Sequence, residues 1–377
     1  MDNVAVDLLW LRPGKVGGTE SYIRNLLDGF SGLLEDFSLT LLVSKDNAET
    51  FRKYEKDPRF SLLVAEIDSA GIARRILWQN RYQNRFLREH GFRKCFEPVY
   101  CKPWLNGGID YICVIHDLQA FHYPKYHPFH EVAYSRLCWK MDMVTAAKIL
   151  TISEWVKEDI ERKYHRNDIQ VIYNPILVKR ENTEGFSAIQ KKYNIEKRGF
   201  FYTVAQMIPH KNIGTLIKMI DQIVAEKRGL PDKLLVSGVS GNAQRDLQNE
   251  IQGRHLEGHV LLTGYISNKE RNALYQHCHT FLFPSVFEGF GMPPVEAMFF
   301  GTRVVAAKCT SVPEVTQGKA VYVEDPYSVE EWIEKIRLGE NHSGEVDFSL
   351  YDSRRISRQY LDILKEPVWK KNRATKG

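Results

Sequence analysis

The stretch Thr280-Phe-Leu-Phe-Pro284, running on through Glu288-Gly-Phe-Gly-Met-Pro-Pro-Val-Glu296 to Ala297-Met-Phe-Phe-Gly301, decides the fold. Its opening is an apolar run bounded by proline, which reads as a buried strand. Its end reads as a short helix closed by a glycine. One carboxylate therefore lies on the loop leaving a strand and a second on the first turns of a helix, eight positions on. The carboxyl end of a strand is where α/β folds bind ligands. Gly289 and Gly291 let backbone approach a ligand closely. Pro293 and Pro294 suit a helix start. The helix N-terminus brings partial positive charge to the same spot. Carboxylate acceptors for hydroxyls beside donors for phosphate describe a site for a sugar nucleotide.

Outward from this stretch, strand-like and helix-like segments alternate along the chain, which predicts parallel sheets with helices on both faces. Val4 to Leu11 reads as a first strand. Gly17-Gly18-Thr19 follows, and then Glu20 to Phe30, with apolar residues at 22, 23, 26, 27 and 30. Further strands are expected at 37–43, 61–65, 111–115, 149–152 and 170–173. The pattern restarts with strands at 200–205, 233–237, 260–263, 281–283, 303–307 and 321–323, and a helix at 212–226. The expectation is an α/β chain of two Rossmann-like domains, residues 1–177 and 199–348, with 178–198 linking them and the ligand in a cleft between them. Residues 349–377 form a C-terminal tail, helical from Leu350 to Glu366, stopped by Pro367 and crossing back to the first domain. Trp369 is a candidate anchor for its end.

At 377 residues the chain has room for about two domains. A hydrophobic content of 43% and a charged content of 26% are those of a soluble globular protein. No apolar run is long enough to span a bilayer, and the N-terminus has no signal-peptide pattern. The six cysteines (95, 101, 113, 138, 278 and 309) form no CxxC pair, which fits a reduced, cytoplasmic setting. A net charge of +5 does not by itself point to nucleic acid, and none is expected as a partner.

The segment FLFPSVFEGFGMPPVEAMFFGTRVVAAKCTSVPEV, from Phe281 to Val315, resembles the signature of the retaining glycosyltransferases of family 4, whose fold is GT-B. Val16-Gly-Gly-Thr-Glu20, Val114-Ile-His-Asp117, Ile149-Leu-Thr-Ile-Ser153, Val171-Ile-Tyr-Asn-Pro175 and Pro209-His-Lys-Asn212 match in the family's order. The His-Asp-Leu-Gln stretch is most similar to the branch of bacterial polysaccharide mannosyl- and rhamnosyltransferases. The resemblance implies roles for individual residues. Glu296 accepts from the nucleotide ribose, and Glu288 holds a hydroxyl of the donor sugar near its 3-position. The backbone N–H groups of Phe290, Gly291 and Met292 bind sugar hydroxyls or diphosphate. Lys211 neutralises the departing diphosphate. His116 lies near the reacting sugar carbon. The Gly17-Gly18 loop closes over diphosphate and acceptor, and Tyr265 and Ile266 hold the base. Gln206 stands where many members carry an arginine five residues before the phosphate lysine. It donates hydrogen bonds without charge, and charge-assisted bonds are roughly twice as strong.

The same resemblance implies a hexose transfer from a nucleotide-sugar co-substrate, with GDP-mannose first and UDP-hexoses next. The acceptor is a lipid-linked or free saccharide. No other cofactor and no metal are expected, and the anomeric configuration is retained. A non-catalytic GT-B scaffold subunit is the second reading. A GT-B epimerase or phosphorylase is a third, disfavoured by the two-glutamate segment and by the lack of a pyridoxal lysine signature. His116, His122, His127 and His130 match no common zinc spacing. Residues 72–94 hold Arg74, Arg75, Arg81, Arg85, Arg88, Arg93 and Lys94 against the single acid Glu89. On a helix, 74, 81, 85 and 88 share a face, with Trp78, Tyr82 and Phe86 on a neighbouring stripe. This face reads either as a contact for the inner, anionic face of a membrane or as a solvated face whose aromatics belong to the core. Lys370, Lys371, Arg373 and Lys376 could add to that basic surface.

Overall fold

A computed structural model describes residues 2–33, 36–100, 102–179, 183, 185–238, 243–338 and 345–367. Trp369 and the basic residues of the tail lie outside them. The chain divides into two units, residues 1–175 with 350–377, and residues 176–349.

The first unit holds seven strands: β1 (Asp2–Asp7), β2 (Phe37–Ser44), β3 (Phe60–Ala65), β4 (Lys94–Glu97), β5 (Asp110–Ile115), β6 (Lys148–Thr151) and β7 (Ile169–Val171). They form one sheet in the order β3-β2-β1-β4-β5-β6-β7, every pair parallel. Order reverses between β1 and β4, which makes their carboxyl ends a switch point of the kind that binds ligands. The first strand is shorter than its apolar run. Pairing along β1 ends at Asp7, and Leu8–Leu11 form a buried loop whose Leu8 and Leu11 carbonyls accept from Asn47 Nδ2 at 2.9 and 2.8 Å.

The C-terminal helix Ser353–Lys365 belongs to this unit and packs on the helix Gly18–Phe30. The approach is close enough that a Cβ at Gly29 would sit 2.7 Å from the Ser353 carbonyl oxygen. Ser357 Oγ donates to the Leu26 carbonyl at 3.2 Å, and Tyr22 Oη donates to Tyr360 Oη at 2.9 Å.

The segment read as one basic helix is three pieces: Ile72–Trp78, a π turn at Gln79–Gln83, and Asn84–Glu89. The wider π turn breaks the aromatic stripe. Trp78 and Phe86 meet edge-on at 5.4 Å and pack against the core, whereas Tyr82 is exposed. Arg74, Arg81, Arg85 and Arg88 are exposed, and Arg75 turns inward.

The second unit holds β8 (Phe201–Val204), β9 (Leu234–Ser237), β10 (Val260–Gly264), β11 (Thr280–Phe283), β12 (Val304–Ala307) and β13 (Val321–Val323). The order is β10-β9-β8-β11-β12-β13, again wholly parallel. These strands read as near-continuous apolar runs because both faces are covered. Phe201, Leu234, Leu282 and Val305 point into one cluster, with the helices Ile213–Glu226 and Val329–Leu338. Tyr202, Leu235, Phe281 and Val304 point into the other, with the helices Asn268–His277 and Met292–Phe299. The stretch 178–198, expected to link the domains, contributes to this second cluster. It contains the helix Phe186–Tyr193, whose Ile189 and Tyr193 are buried there. Its polar first half hid an amphipathic second half.

No helix among the described residues is long and apolar enough to cross a membrane.

Candidate functional site

In the second unit, order reverses between β8 and β11, so the loops leaving these two strands flank the switch point. The loop after β8 carries Gln206, exposed, and then a 3₁₀ turn Pro209–Lys211. Asn212 ends that turn with φ of 52° and starts the next helix. Its side chain is tied to the Pro326 carbonyl at 2.8 Å and accepts from Thr215 Oγ1 at 2.8 Å. Lys211 is thus fixed at a helix start rather than carried on a free loop.

The loop after β11 carries Glu288. Lys211 Nζ donates to Glu288 Oε1 at 2.7 Å, and both side chains are largely buried. Thr310 and Ser311 hold the backbone around Glu288. Glu288 N–H donates to Thr310 Oγ1 at 3.0 Å, and Ser311 Oγ is placed to donate to the carbonyls of Glu288 and Phe290, each at 3.0 Å. Thr310 and Ser311 follow β12, so a third strand end braces the same loop. Cys309 lies beside them, its thiol 2.8 Å from the Ser285 carbonyl. Burial first, and the Glu288 carboxylate second, push that thiol up to about 12, so it stays protonated and un-nucleophilic.

Gly291 precedes the helix Met292–Phe299 with φ of 88°, a conformation that glycine adopts without strain. Pro293 and Pro294 have no N–H, so the first turn offers fewer donors than a helix start usually does, with Met292 the first of them. Glu296 lies on this helix. Its Oε2 accepts from Tyr275 Oη at 3.0 Å and lies 3.7 Å from Arg271 Nη1. Beyond β10, Tyr265 is exposed, and Ile266 packs against the apolar cluster that contains Tyr275.

The residues expected at the site in the first unit are also at carboxyl ends of strands. Gly17, φ 62°, caps the helix Gly18–Phe30, and both glycines are exposed. His116 follows β5. Its Nε2 is 2.8 Å from the Pro98 carbonyl, which follows β4, and Tyr22 meets the ring edge-on at 4.7 Å. Burial drives the ring down to about 4, against the smaller opposing pull of the Pro98 carbonyl, so His116 is neutral at physiological pH. Tyr360 of the C-terminal helix supports Tyr22 from behind.

The second unit therefore brings Lys211 and Glu288 into contact and sets Glu296 on the helix that follows. In the second unit Tyr275, Arg271, Thr310 and Ser311 hold the candidate residues, and in the first Tyr22 packs on His116; none of the five was singled out from the sequence. Thr310 and Ser311 fall inside the signature stretch, the only signal for them. Of the four histidines, His122 pairs with Asp159 at 2.7 Å. No group of three or more His, Cys, Asp or Glu among the described residues could hold a metal ion. Cys95, Cys113, Cys138 and Cys278 are buried free thiols, and Cys101 lies outside the described residues.

Two family models match this chain, one described as glycosyltransferase family 4 over residues 16–180 and one as glycosyl transferases group 1 over 186–346. The O-antigen chain mannosyltransferase B of Escherichia coli is 30% identical over 224 residues, 58% of each chain. The O-antigen chain mannosyltransferase RfbU of Salmonella typhimurium is 32% identical over 225 residues, 59% of each chain. The matched region thus spans under two thirds of these relatives. Among solved structures, a sucrose-phosphate synthase from Thermosynechococcus elongatus superposes with a TM-score of 0.75 at 16% identity, over 96% of this chain and 98% of that one. The Anabaena protein HepE, solved with UDP-glucose, superposes at 0.71 and 16% identity, over 97% and 99%. At such identities the likeness is one of fold.

Proposed function

The chain belongs to glycosyltransferase family 4, with its GT-B fold, and from that premise we propose that it is a retaining hexosyltransferase of surface-polysaccharide synthesis. Its donor is a nucleotide sugar and its acceptor a sugar hydroxyl, on a lipid-linked oligosaccharide. The observation that carries this reading is the pairing of Lys211 with Glu288 at the β8/β11 switch point, with Glu296 on the helix that follows.

The chemistry asks for a stabilised leaving diphosphate, an oriented sugar and a nucleophilic hydroxyl. Lys211 and the N-terminus of the helix Met292–Phe299 meet the diphosphate charge by preorganised electrostatics, the dominant source of rate enhancement in many enzymes. That arrangement needs no metal ion. Glu288 takes a hydroxyl of the transferred sugar and so orients the ring. Glu296 takes the ribose. Tyr265, Ile266 and Gln206 serve the base and diphosphate. The first unit serves the acceptor side of the reaction through the Gly17-Gly18 loop and a neutral His116. The hydroxyl attacks on the face the diphosphate leaves, and the departing phosphate oxygen takes its proton.

The mannosyltransferase names of the relatives support GDP-mannose as the first donor to try. UDP-hexoses come next. A non-catalytic scaffold is the second reading, favoured by one observation, the uncharged Gln206 five residues before Lys211. Donor hydrolysis separates the two, since a scaffold releases no sugar from any donor. For the enzyme, proton NMR of the glycoside product is expected to show the donor's anomeric configuration, with activity unchanged by EDTA. An inverted linkage would sink the assignment.

We further propose that the protein works in the cytoplasm against the inner face of the plasma membrane. Exposed Arg74, Arg81, Arg85 and Arg88 stand among the exposed apolar side chains Ile72, Leu77 and Tyr82, a composition suited to anionic lipid. Each basic residue near such a surface contributes about 1 kcal/mol. Reversal of all four to glutamate is expected to release the protein from phosphatidylglycerol vesicles in a sedimentation assay. Unchanged sedimentation would count against membrane contact.

A further inference from the structure

Glu296 does not stand alone. Tyr275 and Arg271, one turn apart on the helix Asn268–His277, both address the same carboxylate oxygen. Tyr275 Oη donates to Oε2 at 3.0 Å, and Arg271 Nη1 lies 3.7 Å from that oxygen. Among the described residues Oε1 receives no hydrogen bond.

The pair is built to hold this geometry. The Tyr275 ring is fully buried, with Tyr202, Phe281 and Phe300 around it at centroid distances of 5.4, 5.2 and 6.2 Å. The Arg271 guanidinium lies over the Tyr275 ring, 5.9 Å from its centre. Its Nε is buried without a hydrogen-bond partner, so much of its hydration has been given up. Burial, then the Glu296 charge, hold the Tyr275 phenol well above its ordinary range, so it remains an O–H donor. Burial opposes the Arg271 charge, but Glu296 and the surrounding tyrosines outweigh it.

A carboxylate that is fixed at one oxygen presents the other in a set direction. We propose that Tyr275 and Arg271 are positioning residues that anchor Oε2 of Glu296, present Oε1 to the vicinal ribose hydroxyls of the donor nucleotide, and thereby set the preference for ribo- over 2′-deoxyribonucleotides. This rests on the reading of Glu296 as the ribose carboxylate. A merely structural role for the pair would change stability, or the affinity for both sugars alike, and leave the ratio between them unmoved.

The test is calorimetric binding of GDP, UDP and their 2′-deoxy forms to the full chain. The wild type is expected to favour the ribo form of its nucleotide by about tenfold or more, the size of a hydrogen bond to a charged group. Tyr275→Phe, which keeps the ring, and Arg271→Met, which keeps the stem, are each expected to cut that ratio to about twofold. Arg271→Lys, which keeps the charge, is expected to recover part of it. Glu296→Ala is the control. If the wild type binds neither nucleotide, or if Glu296→Ala keeps the full preference, the ribose reading itself is wrong. If Glu296→Ala loses the preference while Tyr275→Phe and Arg271→Met both keep it, that reading stands and the positioning roles are overturned. Loss of the fold in both variants would likewise overturn them, by marking the pair as structural.

Discussion

Replacement of Lys211 by methionine should lower kcat by about 10²–10³, the loss seen when one preorganised group is removed from a site of developing charge. The methionine keeps most of the apolar stem, and the 3₁₀ turn and Asn212 that hold the residue stay in place. The fold should therefore survive, with a melting temperature close to that of the wild type. Two things are lost together. On the proposed mechanism the leaving diphosphate loses its cation, and Glu288 loses the ammonium 2.7 Å from Oε1. Nucleoside diphosphate binding should weaken as well, because the charge acts on the bound ground state as well as the transition state. Lys211→Arg is not expected to rescue fully, since a planar fork cannot repeat the geometry of a compact ammonium beside Glu288. A Lys211→Met enzyme turning over within about threefold of wild type, far inside that range, would remove the lysine from the mechanism.

The parts of this molecule that were legible in its sequence are those whose cause is local. Parallel strands covered on both faces run apolar, so β8 to β13 announce themselves, and the glycines and prolines after β11 mark the loop proposed for the donor. β4 sits beside β1 at the centre of the first sheet and was missed because Lys94 and Glu97 bound it. The Lys94 ammonium is buried and satisfied by the carbonyls of Leu364 and Glu366, 270 and 272 residues away. No window around Lys94 contains that information. The π turn at Gln79–Gln83 is similar in kind. Both glutamines donate to Asp7 Oδ2, a buried carboxylate from the end of β1, and the helix widens where it meets them. Among the candidate site residues, Glu288, Glu296 and Lys211 could be nominated because each lies within a short motif. Tyr275, Arg271 and Ser311 matter through tertiary contacts with that motif, and a tyrosine on an amphipathic helix looks like any other core residue.

Glu288→Ala and Glu296→Ala should fail in opposite ways, and the contrast is sharper than either result alone. The Glu288 backbone is held by Thr310 and Ser311 independently of its side chain, so truncation leaves the loop in place. What goes is the acceptor proposed to orient the reacting ring. Turnover should fall by about 10²-fold with little change in KM, the sign of an interaction realised chiefly in the transition state. Nucleoside diphosphate should bind the variant at least as tightly as it binds the wild type, because Lys211 is released from its ion pair and its full charge faces the phosphates. Glu296→Ala removes the proposed ribose contact, a ground-state one, instead. It also strands the Tyr275 hydroxyl and the Arg271 guanidinium. Nucleoside diphosphate affinity should drop by about 10- to 100-fold, as for a hydrogen bond to a charged group, and KM for the donor should rise more than kcat falls. Titration of GDP and UDP into both variants, beside initial rates, reads the two predictions at once. Weaker nucleotide binding in Glu288→Ala would mean that Glu288 supports the nucleotide rather than the sugar. Full activity in both would mean that the segment from Glu288 to Glu296 is not the donor site.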